Sequence, residues 1–500
     1  MPESPVGSQQ LPLDDPAFSR RRRWVLLAIV LVTFMSAVEA TIVATVMPTI
    51  LSALGGFELL SWVYAIYLIC GAVTTPIYGR LADLYGRKNV LLAGTTLFLV
   101  SSAACGFAWN IYALILFRAL QGLGAGALMP VASTIVGDLY PPTERGKLQG
   151  WLSSIWGIAA VLGPVVGAAL ISVFSWSSVF WVNIPLGIVA MAILVTMLHE
   201  NVAHRDHRID YAGSILMILS TCGIMFAVVQ AATLSWTQIG LILVASAIVL
   251  AGFFWHENRT PEPMVPLKLW GRTLIAGGVL NALCLGAIMM GVIAFMPTYV
   301  QGVMGRSALI AGFVLTAVSV GWSGSAIVSG MVMARLTYRT LAMGGSICLA
   351  IGSLMLILLE PQYGPWFAGI GALFLGVGVG QHNTSFTVAI QGAVTWQERG
   401  SATSSIWFTR AVGQALGAAL FGGVVNASLA ATNNGNADVM DQLVNPASRA
   451  ALAPDRFQAL ADDVGLALHH VYLISGVLAL IVFATMLALP KGIGPKHQQQ

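Results

Sequence analysis

The sequence predicts an all-α polytopic membrane protein with 14 transmembrane helices, arranged as two six-helix bundles in parallel pseudo-repeat plus two inserted helices. Composition, the number of apolar runs and an internal repeat lead to this prediction. The chain has 500 residues, of which 57% are hydrophobic and 9% are charged. Soluble domains carry about 25% charged residues. The composition therefore excludes an ordinary soluble protein.

Fourteen apolar runs are long enough to cross the hydrocarbon core as helices, which takes about 20 residues each. An even number of spans places both ends of the chain on one side of the membrane. The runs lie near residues 24–48, 60–79, 89–108, 111–137, 148–172, 179–198, 211–230, 236–255, 274–300, 307–334, 340–359, 365–391, 401–425 and 468–489.

The basic residues predict which side that is. On this topology, 19 of the 24 Lys and Arg residues fall in tails and loops on the side of the termini, 3 fall in the opposite loops and 2 lie within spans. Cytoplasmic loops carry the excess of Lys and Arg. We therefore expect a multi-pass protein of the plasma (inner) membrane with both termini in the cytoplasm.

The two halves of the chain repeat. The stretch from Arg118 to Gly126 matches the stretch from Ala372 to Gly380 at an offset of 254 residues, and Glu144-Arg145-Gly146 matches Glu398-Arg399-Gly400 at the same offset. Transporters built from parallel repeats bind their substrate between the repeats near the midplane. We therefore expect a site between the two bundles.

The repeat divides the chain into five regions. The two inserted runs contain no Asp, Glu, Lys or Arg, so we expect a peripheral role for them. The predicted regions are a disordered cytoplasmic tail (1–23), an N-terminal six-helix bundle (24–198), a linker with two inserted helices (199–273), a C-terminal six-helix bundle (274–489) with an outer loop (426–467), and a cytoplasmic tail (490–500).

Two polar segments need a separate interpretation. The linker 199–210 contains three histidines, but its basic and irregular composition favours a solvated linker over a metal site. Within the outer loop 426–467, the stretch from Asn445 to Ala467 has helical spacing of apolar residues, which predicts a short surface helix. The five cysteines lie in apolar runs without paired spacing, so neither disulfides nor a metal site are indicated.

The stretch from Gly79 to Lys88 places four charges and two glycines between two apolar runs. Glycines permit a sharp reversal of the chain, and Asp83 lies within reach of Arg80, Arg87 and adjoining helix ends, where a carboxylate is favoured at an N-terminus. The pattern resembles the signature loop between the second and third helices of the major facilitator superfamily. The resemblance implies a cytoplasmic latch, and a solvated basic loop is the alternative. The latch residues are Gly79, Arg80, Asp83, Gly86, Arg87 and Lys88.

Two ionisable residues lie inside predicted spans. Such a residue costs about 2.5–3.5 kcal/mol at a helix centre on insertion scales. Glu39 lies near the middle of the first span, where burial favours a bound proton, and Arg118 in the fourth span stays charged. Their surroundings resemble motifs of the fourteen-helix drug:proton antiporters, which usually have aspartate in place of Glu39. We expect Glu39 and Arg118 to couple transport to protons, with helix packing as the alternative for each.

The fifth span carries Gly157, Gly163, Pro164 and Gly167 in a pattern that resembles a motif of exporters in the superfamily. Glycines four residues apart let helices approach closely, and proline bends a helix. We expect these residues to form an interface between the halves that supports export.

Several other polar residues lie within the spans. Arg410 lies about three turns from the cytoplasmic end of its span, where its side chain can reach water. For the others, lining a cavity and packing remain equal alternatives. The cavity candidates are Gln121, Gln381, His382, Asn383 and Arg410.

These observations favour a secondary active transporter that exports hydrophobic or amphiphilic, often cationic, compounds by proton antiport with alternating access. Export of a lipid or lipid-like precursor is the alternative, and nutrient uptake or a membrane enzyme is less favoured. The sequence lacks the G-x-x-x-x-G-K-[ST] loop of ATP-driven pumps. We expect no enzymatic activity, cofactor, metal or nucleic acid. The expected partners are the substrate, protons, the bilayer and an outer-side partner of loop 426–467.

Overall fold

The computed structural model describes residues 16–55, 59–200, 210–230, 234–260, 263, 267–333, 335–432, 443, 449 and 453–489. Every regular element in these residues is a helix, and a π-helical turn, Tyr299–Val303, extends α11. The helices are α1 (Pro16–Leu54), α2 (Leu60–Tyr85), α3 (Arg87–Gly106), α4 (Ile111–Leu139), α5 (Pro142–Val173), α6 (Ser178–Trp181), α7 (Asn183–Met197), α8 (Tyr211–Val229), α9 (Trp236–Glu257), α10 (Leu267–Trp270), α11 (Thr273–Thr298), α12 (Ala308–Val332), α13 (Tyr338–Ile357), α14 (Gly364–Ala393), α15 (Arg399–Thr432) and α16 (Pro454–Ala488).

The described residues contain twelve helices that are long and apolar enough to cross a membrane. The two segments of α5, Glu144–Ala160 and Val165–Val173, meet at an angle of 48°. If this bent helix is counted as one span, the number of spans is thirteen. Pro164 lies in the break, as expected for a residue without a backbone N–H. The apolar segment of α8, Tyr211–Ala227, is shorter. The all-helical membrane architecture is therefore confirmed, and the count of fourteen spans is not.

Helix boundaries differ from the prediction at three places. Arg20 to Arg23 belong to α1, which begins at Pro16, so the predicted tail 1–23 is helical in part; residues 1–15 lie outside the described residues. The predicted loop at 79–88 shrinks to Gly86, with φ of 88°, because α2 continues to Tyr85 and α3 begins at Arg87. The charges of this stretch are thus carried by helix ends.

The third difference concerns the outer loop 426–467. α15 continues to Thr432, and α16 is one continuous helix from Pro454 into the final span. Most residues from 433 to 452 lie outside the described part of the chain. From Pro454 onward, the predicted surface helix at 445–467 is therefore the beginning of the last helix.

Two groups of helices form separate hydrophobic cores. Side chains between Val25 and Leu198, from α1 to α7, form one core, and side chains between Cys284 and Val482 form another. The two halves meet where α2 packs against α15 and where α5 packs against α12. The region between these two contacts is where a site shared by both halves would lie.

The inserted helix α8 packs against both α2 and α15. Met225 of α8 lies in an apolar cluster with Ile69 and Val73 of α2, and Ala411 of α15 packs against the same cluster. α8 therefore covers the α2–α15 contact and touches both halves. The peripheral role predicted for the two inserted runs stays a prediction.

α1 begins and α16 ends on the same face of the protein. The Tyr140 hydroxyl at the end of α4 donates to Arg22 O at 3.0 Å, and Arg339 Nη2 at the start of α13 donates to Leu487 O at 3.1 Å. Gly330 near the end of α12 packs directly on Gly146 near the start of α5. This face also holds the latch residues, as the contacts below show.

Candidate functional site

A buried carboxylate joins three helices of the first half. Glu39 of α1 is fully buried. Its Oε1 lies 2.5 Å from Arg118 Nη1 of α4, and its Oε2 accepts a hydrogen bond of 2.6 Å from Asn183 Nδ2 at the start of α7. Removing one partner of such a pair leaves an uncompensated buried charge, which typically costs about 3–5 kcal/mol. The ion pair therefore holds α1 against α4, and the hydrogen bond from Asn183 holds α1 against α7.

Arg118 has partners besides Glu39. Its Nη1 donates to Gln121 Oε1 at 2.7 Å and its Nε donates to Val63 O at 3.3 Å. The guanidinium also lies 4.1 Å from the centre of the Tyr67 ring. These contacts do not involve the carboxylate, so they position the guanidinium independently of Glu39, which supplies the counterion.

Ser102 of α3 completes this network. Its Oγ accepts hydrogen bonds of 3.1 Å from both Gln121 Nε2 and Asn183 Nδ2, and it donates to Phe180 O at 2.7 Å. Every hydrogen-bonding capacity of this hydroxyl is used. We call Glu39, Ser102, Arg118, Gln121 and Asn183 the carboxylate network.

Ser102 and Asn183 were not among the predicted site residues. Both are neutral, whereas the prediction depended on ionisable side chains within the spans. An amide within the apolar run 179–198 was the available signal, since a buried amide needs hydrogen-bond partners.

Asp83 joins the two halves at the face where α1 begins and α16 ends. Its Oδ1 accepts from Gly400 N at 2.8 Å, and its Oδ2 accepts from Ser401 N and Oγ, both at 2.7 Å. These donors belong to the first turn of α15, where backbone N–H groups lack helical partners and favour a negative charge. Arg87 Nη2 lies 3.0 Å from Oδ1. The predicted contacts with Arg87 and a helix N-terminus are present, and the described partners of Asp83 do not include Arg80.

A chain of charges continues from Arg87. Its Nε lies 3.0 Å from Asp138 Oδ2, and Asp138 also pairs with Arg399 of the second half. The Arg87 guanidinium lies 3.5 Å from the centre of the Trp396 ring. Asp138 and Arg399 were not predicted as site residues, although both stand at the ends of apolar runs.

The two latch glycines have different functions. At Gly79 a Cβ would overlap Ser404 Oγ and lie 2.9 Å from Gly400 O, so this glycine allows α2 to approach α15. The turn itself uses Gly86 alone, at its positive φ. The prediction that Gly79 turns the chain is therefore wrong.

Lys88 links the start of α3 to the end of α7. Its Nζ donates to Val195 O at 2.7 Å, and its backbone N–H donates to Glu200 Oε2 at 2.9 Å. Burial raises the pKa of Glu200, and the hydrogen bond from Lys88 opposes this shift. Lys88 thus contacts the first half and lies apart from the contact between halves.

The glycines of α5 face two different neighbours. At Gly157 a Cβ would overlap Ser323 Oγ of α12, in the other half. At Gly163 it would overlap Thr41 Oγ1 of α1, and at Gly167 it would lie 3.2 Å from Ile42 and Val46 of α1. The structure therefore places Gly157 between the halves and Gly163 and Gly167 within the first half, on either side of the bend at Pro164.

The remaining candidates form a second polar group. Arg410 Nη2 donates to Asn383 Oδ1, and Asn383 Nδ2 donates to Ser153 Oγ of the first half at 3.0 Å. Arg410 is 6% exposed, so the expected access of its side chain to water is not found. His382 points elsewhere, with its Nε2 3.1 Å from Ser346 Oγ.

Asn383 lines a narrow cavity of about 10 Å³ between the halves, enough for about one water. Gln121, predicted as a cavity residue, belongs to the carboxylate network instead. Gln381 Oε1 is buried without a hydrogen-bond partner among the described residues.

Comparisons with known proteins agree with this architecture. The family model of the Major Facilitator Superfamily matches residues 29–418. Multidrug resistance protein 3 of Bacillus subtilis (strain 168) is 35% identical over 405 residues, which cover 80% of this chain and 79% of that protein. Multidrug transporter protein MdtP of the same strain is 32% identical over 411 residues, covering 81% and 76%.

A solved structure shows the same fold. The proton:xylose symporter XylE aligns with a TM-score of 0.65 at 14% identity, over 94% of this chain and 96% of that chain. The family match, the two relatives and the helical architecture lead to one conclusion: this multi-pass membrane chain belongs to the major facilitator superfamily.

Proposed function

We propose that this protein is a secondary active transporter that exports hydrophobic or amphiphilic drugs, many of them cationic, in exchange for protons. The relatives are a multidrug resistance protein and a multidrug transporter, and these names support drug efflux. The family is one of transporters, and no enzymatic activity is indicated.

The observation that carries proton antiport is the bonding of Glu39. Its carboxylate has no contact with water and binds one helix through Arg118 and another through Asn183. A proton on Glu39 removes the charge that attracts Arg118, which keeps Gln121 and Val63 O as partners. Protonation thus takes the counterion from Arg118 and weakens the α1–α4 contact, and this links proton binding to the arrangement of helices.

The contact around Asp83 supports alternating access. It closes the gap between the halves at one face, and breaking it opens that face. We propose that this face is cytoplasmic, because it carries the excess of basic residues, and that both termini lie on this side of the plasma membrane. The described structure is then closed to the cytoplasm.

The finer topology is also a proposal. Counting bent α5 as one span and α8 as another gives fourteen, with α8 and α9 inserted between two six-helix bundles in parallel pseudo-repeat. One contact supports the repeat: Gly330 meets Gly146 between α12 and α5 as Gly79 meets Gly400 between α2 and α15. A lipid-like cargo is the alternative to drugs, with the predicted outer loop 426–467 as the segment that receives a partner.

Reconstituted transport tests proton coupling. Purified protein in liposomes receives a pH gradient, and uptake of a fluorescent cationic dye is recorded for the wild type, Glu39→Gln and the control Glu360→Gln, which alters an exposed acid. We expect Glu39→Gln to lose gradient-driven uptake and to keep dye exchange without a gradient, and Glu360→Gln to behave as the wild type. If Glu39→Gln accumulates the dye at the wild-type rate, proton coupling through Glu39 is wrong.

A further inference from the structure

Arg410 is a buried cation that has no carboxylate partner among the described residues. It is 6% exposed, and none of the ion pairs found among the described residues includes it. Of the other three buried arginines, Arg87 pairs with Asp83 and Asp138, and Arg118 pairs with Glu39. Arg145 also lies outside these ion pairs, but it interacts electrostatically with Asp138. A charged group inside a membrane protein is costly unless it is paired. Arg410 therefore lacks the counterion that its surroundings call for.

Two N–H donors at this position lack acceptors. Nη2 of Arg410 donates a hydrogen bond to Asn383 Oδ1. Nε of Arg410 and Nε1 of Trp322 on α12 are both buried without a hydrogen-bond partner among the described residues. The guanidinium carbon lies 5.7 Å from the centre of the Trp322 ring. Two buried donors on neighbouring side chains need an acceptor. An oxygen with negative charge is the acceptor that a guanidinium binds most strongly.

Arg410 lies beside aromatic surface and next to the boundary between the halves. The guanidinium lies 4.9 Å from the centre of the Trp407 ring. Trp407 and Asn383 line the cavity between the halves, together with Ser153 of the first half. A ligand held at Arg410 would thus lie where the two halves meet, with aromatic faces beside its apolar part.

We propose that Arg410, with Trp322 and Trp407, forms a subsite for the acidic group of an exported amphiphile, a carboxylate attached to an aromatic or apolar body. Glu39, the acid that a cationic group would use, is already held by Arg118 and Asn183. The subsite therefore extends the substrates to anionic and zwitterionic compounds. This inference rests on the proposed function, because it assigns a substrate class to the same transport pathway.

A pair of dyes that differ only in the acid tests the subsite. Rhodamine with a free carboxylate and its methyl ester have the same cationic ring system, and fluorescence polarisation gives the Kd of each for purified protein in lipid nanodiscs. The quantity of interest is the Kd of the ester divided by that of the acid. We expect the wild type to bind the acid more tightly than the ester. Arg410→Gln should reduce the ratio of the ester Kd to the acid Kd about tenfold or more, which is the contribution of one charge-assisted hydrogen bond to binding. Arg410→Lys, which keeps the charge but not the planar fork, should give an intermediate ratio.

Controls separate recognition from packing. Arg306→Gln removes an exposed arginine at the other end of the molecule and should keep the wild-type ratio. If Arg410→Gln weakens binding of acid and ester by the same factor, Arg410 acts through packing and the proposal is overturned. A wild type that binds the ester as tightly as the acid overturns it equally, and this measurement does not depend on the folding of any variant.

Export of the ester dye tests the proposed function separately. If the wild type exports the ester under a pH gradient but shows no preference for the acid in binding, the subsite is refuted and the exporter function stands. If it prefers the acid in binding and exports neither dye, the subsite is supported and the exporter function is refuted.

Discussion

Asp83→Asn is expected to open the face that Asp83 closes. The carboxylate accepts three hydrogen bonds from Gly400 and Ser401 across the contact between halves. Asparagine offers one oxygen, and its amide N–H₂ would face a backbone N–H donor. At least one charge-assisted hydrogen bond is therefore lost, worth about 1.5–3 kcal/mol, which corresponds to about a tenfold to 150-fold shift of a two-state equilibrium. The ratio of closed to open molecules falls by this factor.

Labelling of a buried cysteine measures this shift. Ser404 of α15 is 1% exposed and faces Gly79 in the closed contact. In a background without the native cysteines, Ser404→Cys should react with a membrane-impermeant maleimide applied to this face faster in Asp83→Asn than with Asp83 intact. Asp455→Asn, which neutralises an exposed acid on α16, is the matched control. Equal labelling rates for Asp83→Asn and Asp455→Asn would refute the latch.

Two further predictions concern packing and pH. Gly150→Ala brings a methyl group into overlap with Ala326 O of α12, whereas Gly324→Ala meets open space. Overpacking of this kind costs about 1–3 kcal/mol, so only Gly150→Ala should lower the unfolding temperature and the transport rate. Equal values for the two variants would contradict the close α5–α12 contact. Burial raises the pKa of Glu200, so the folded state binds a proton more tightly than the unfolded state, and the stability contributed by this group is lost as pH rises through the folded pKa. Between the model-compound value of 4.5 and that raised pKa, unfolding temperature should fall with pH more steeply in the wild type than in Glu200→Gln; parallel pH profiles would show that Glu200 does not contribute.

The sequence predicted the architecture because the bilayer imposes it. Apolar runs and charge asymmetry follow from hydration, so α1 to α5 appear close to where the runs lie. Helix ends were harder: α2 continues past the charged residues Arg80 and Asp83 to Tyr85, because these charges find partners within the protein and do not need water.

Within the spans, charge was the signal that the sequence offered for site residues. Glu39 and Arg118 were recognised because an ionisable side chain in a span is costly, and the structure brings them together at 2.5 Å. Asn183 and Ser102 carry no charge, and their importance appears only when three helices meet. Arg410 was expected to reach water from its position in the sequence, but neighbouring helices bury it, which no pattern within α15 alone could reveal.

The position of α8 has a consequence for the energetics of the transport cycle. Since α8 touches both α2 and α15, any separation of those helices must detach α8 from at least one of them and let lipid chains replace the lost side-chain neighbours. Lipid is as apolar as Met225 or Ile69, so detachment costs packing and not hydrophobic burial. In the proposed alternating-access cycle, a bridging helix of this kind can release and rebind at every turn. The thickness and fluidity of the surrounding lipid then affect the rate at which the two halves separate and close.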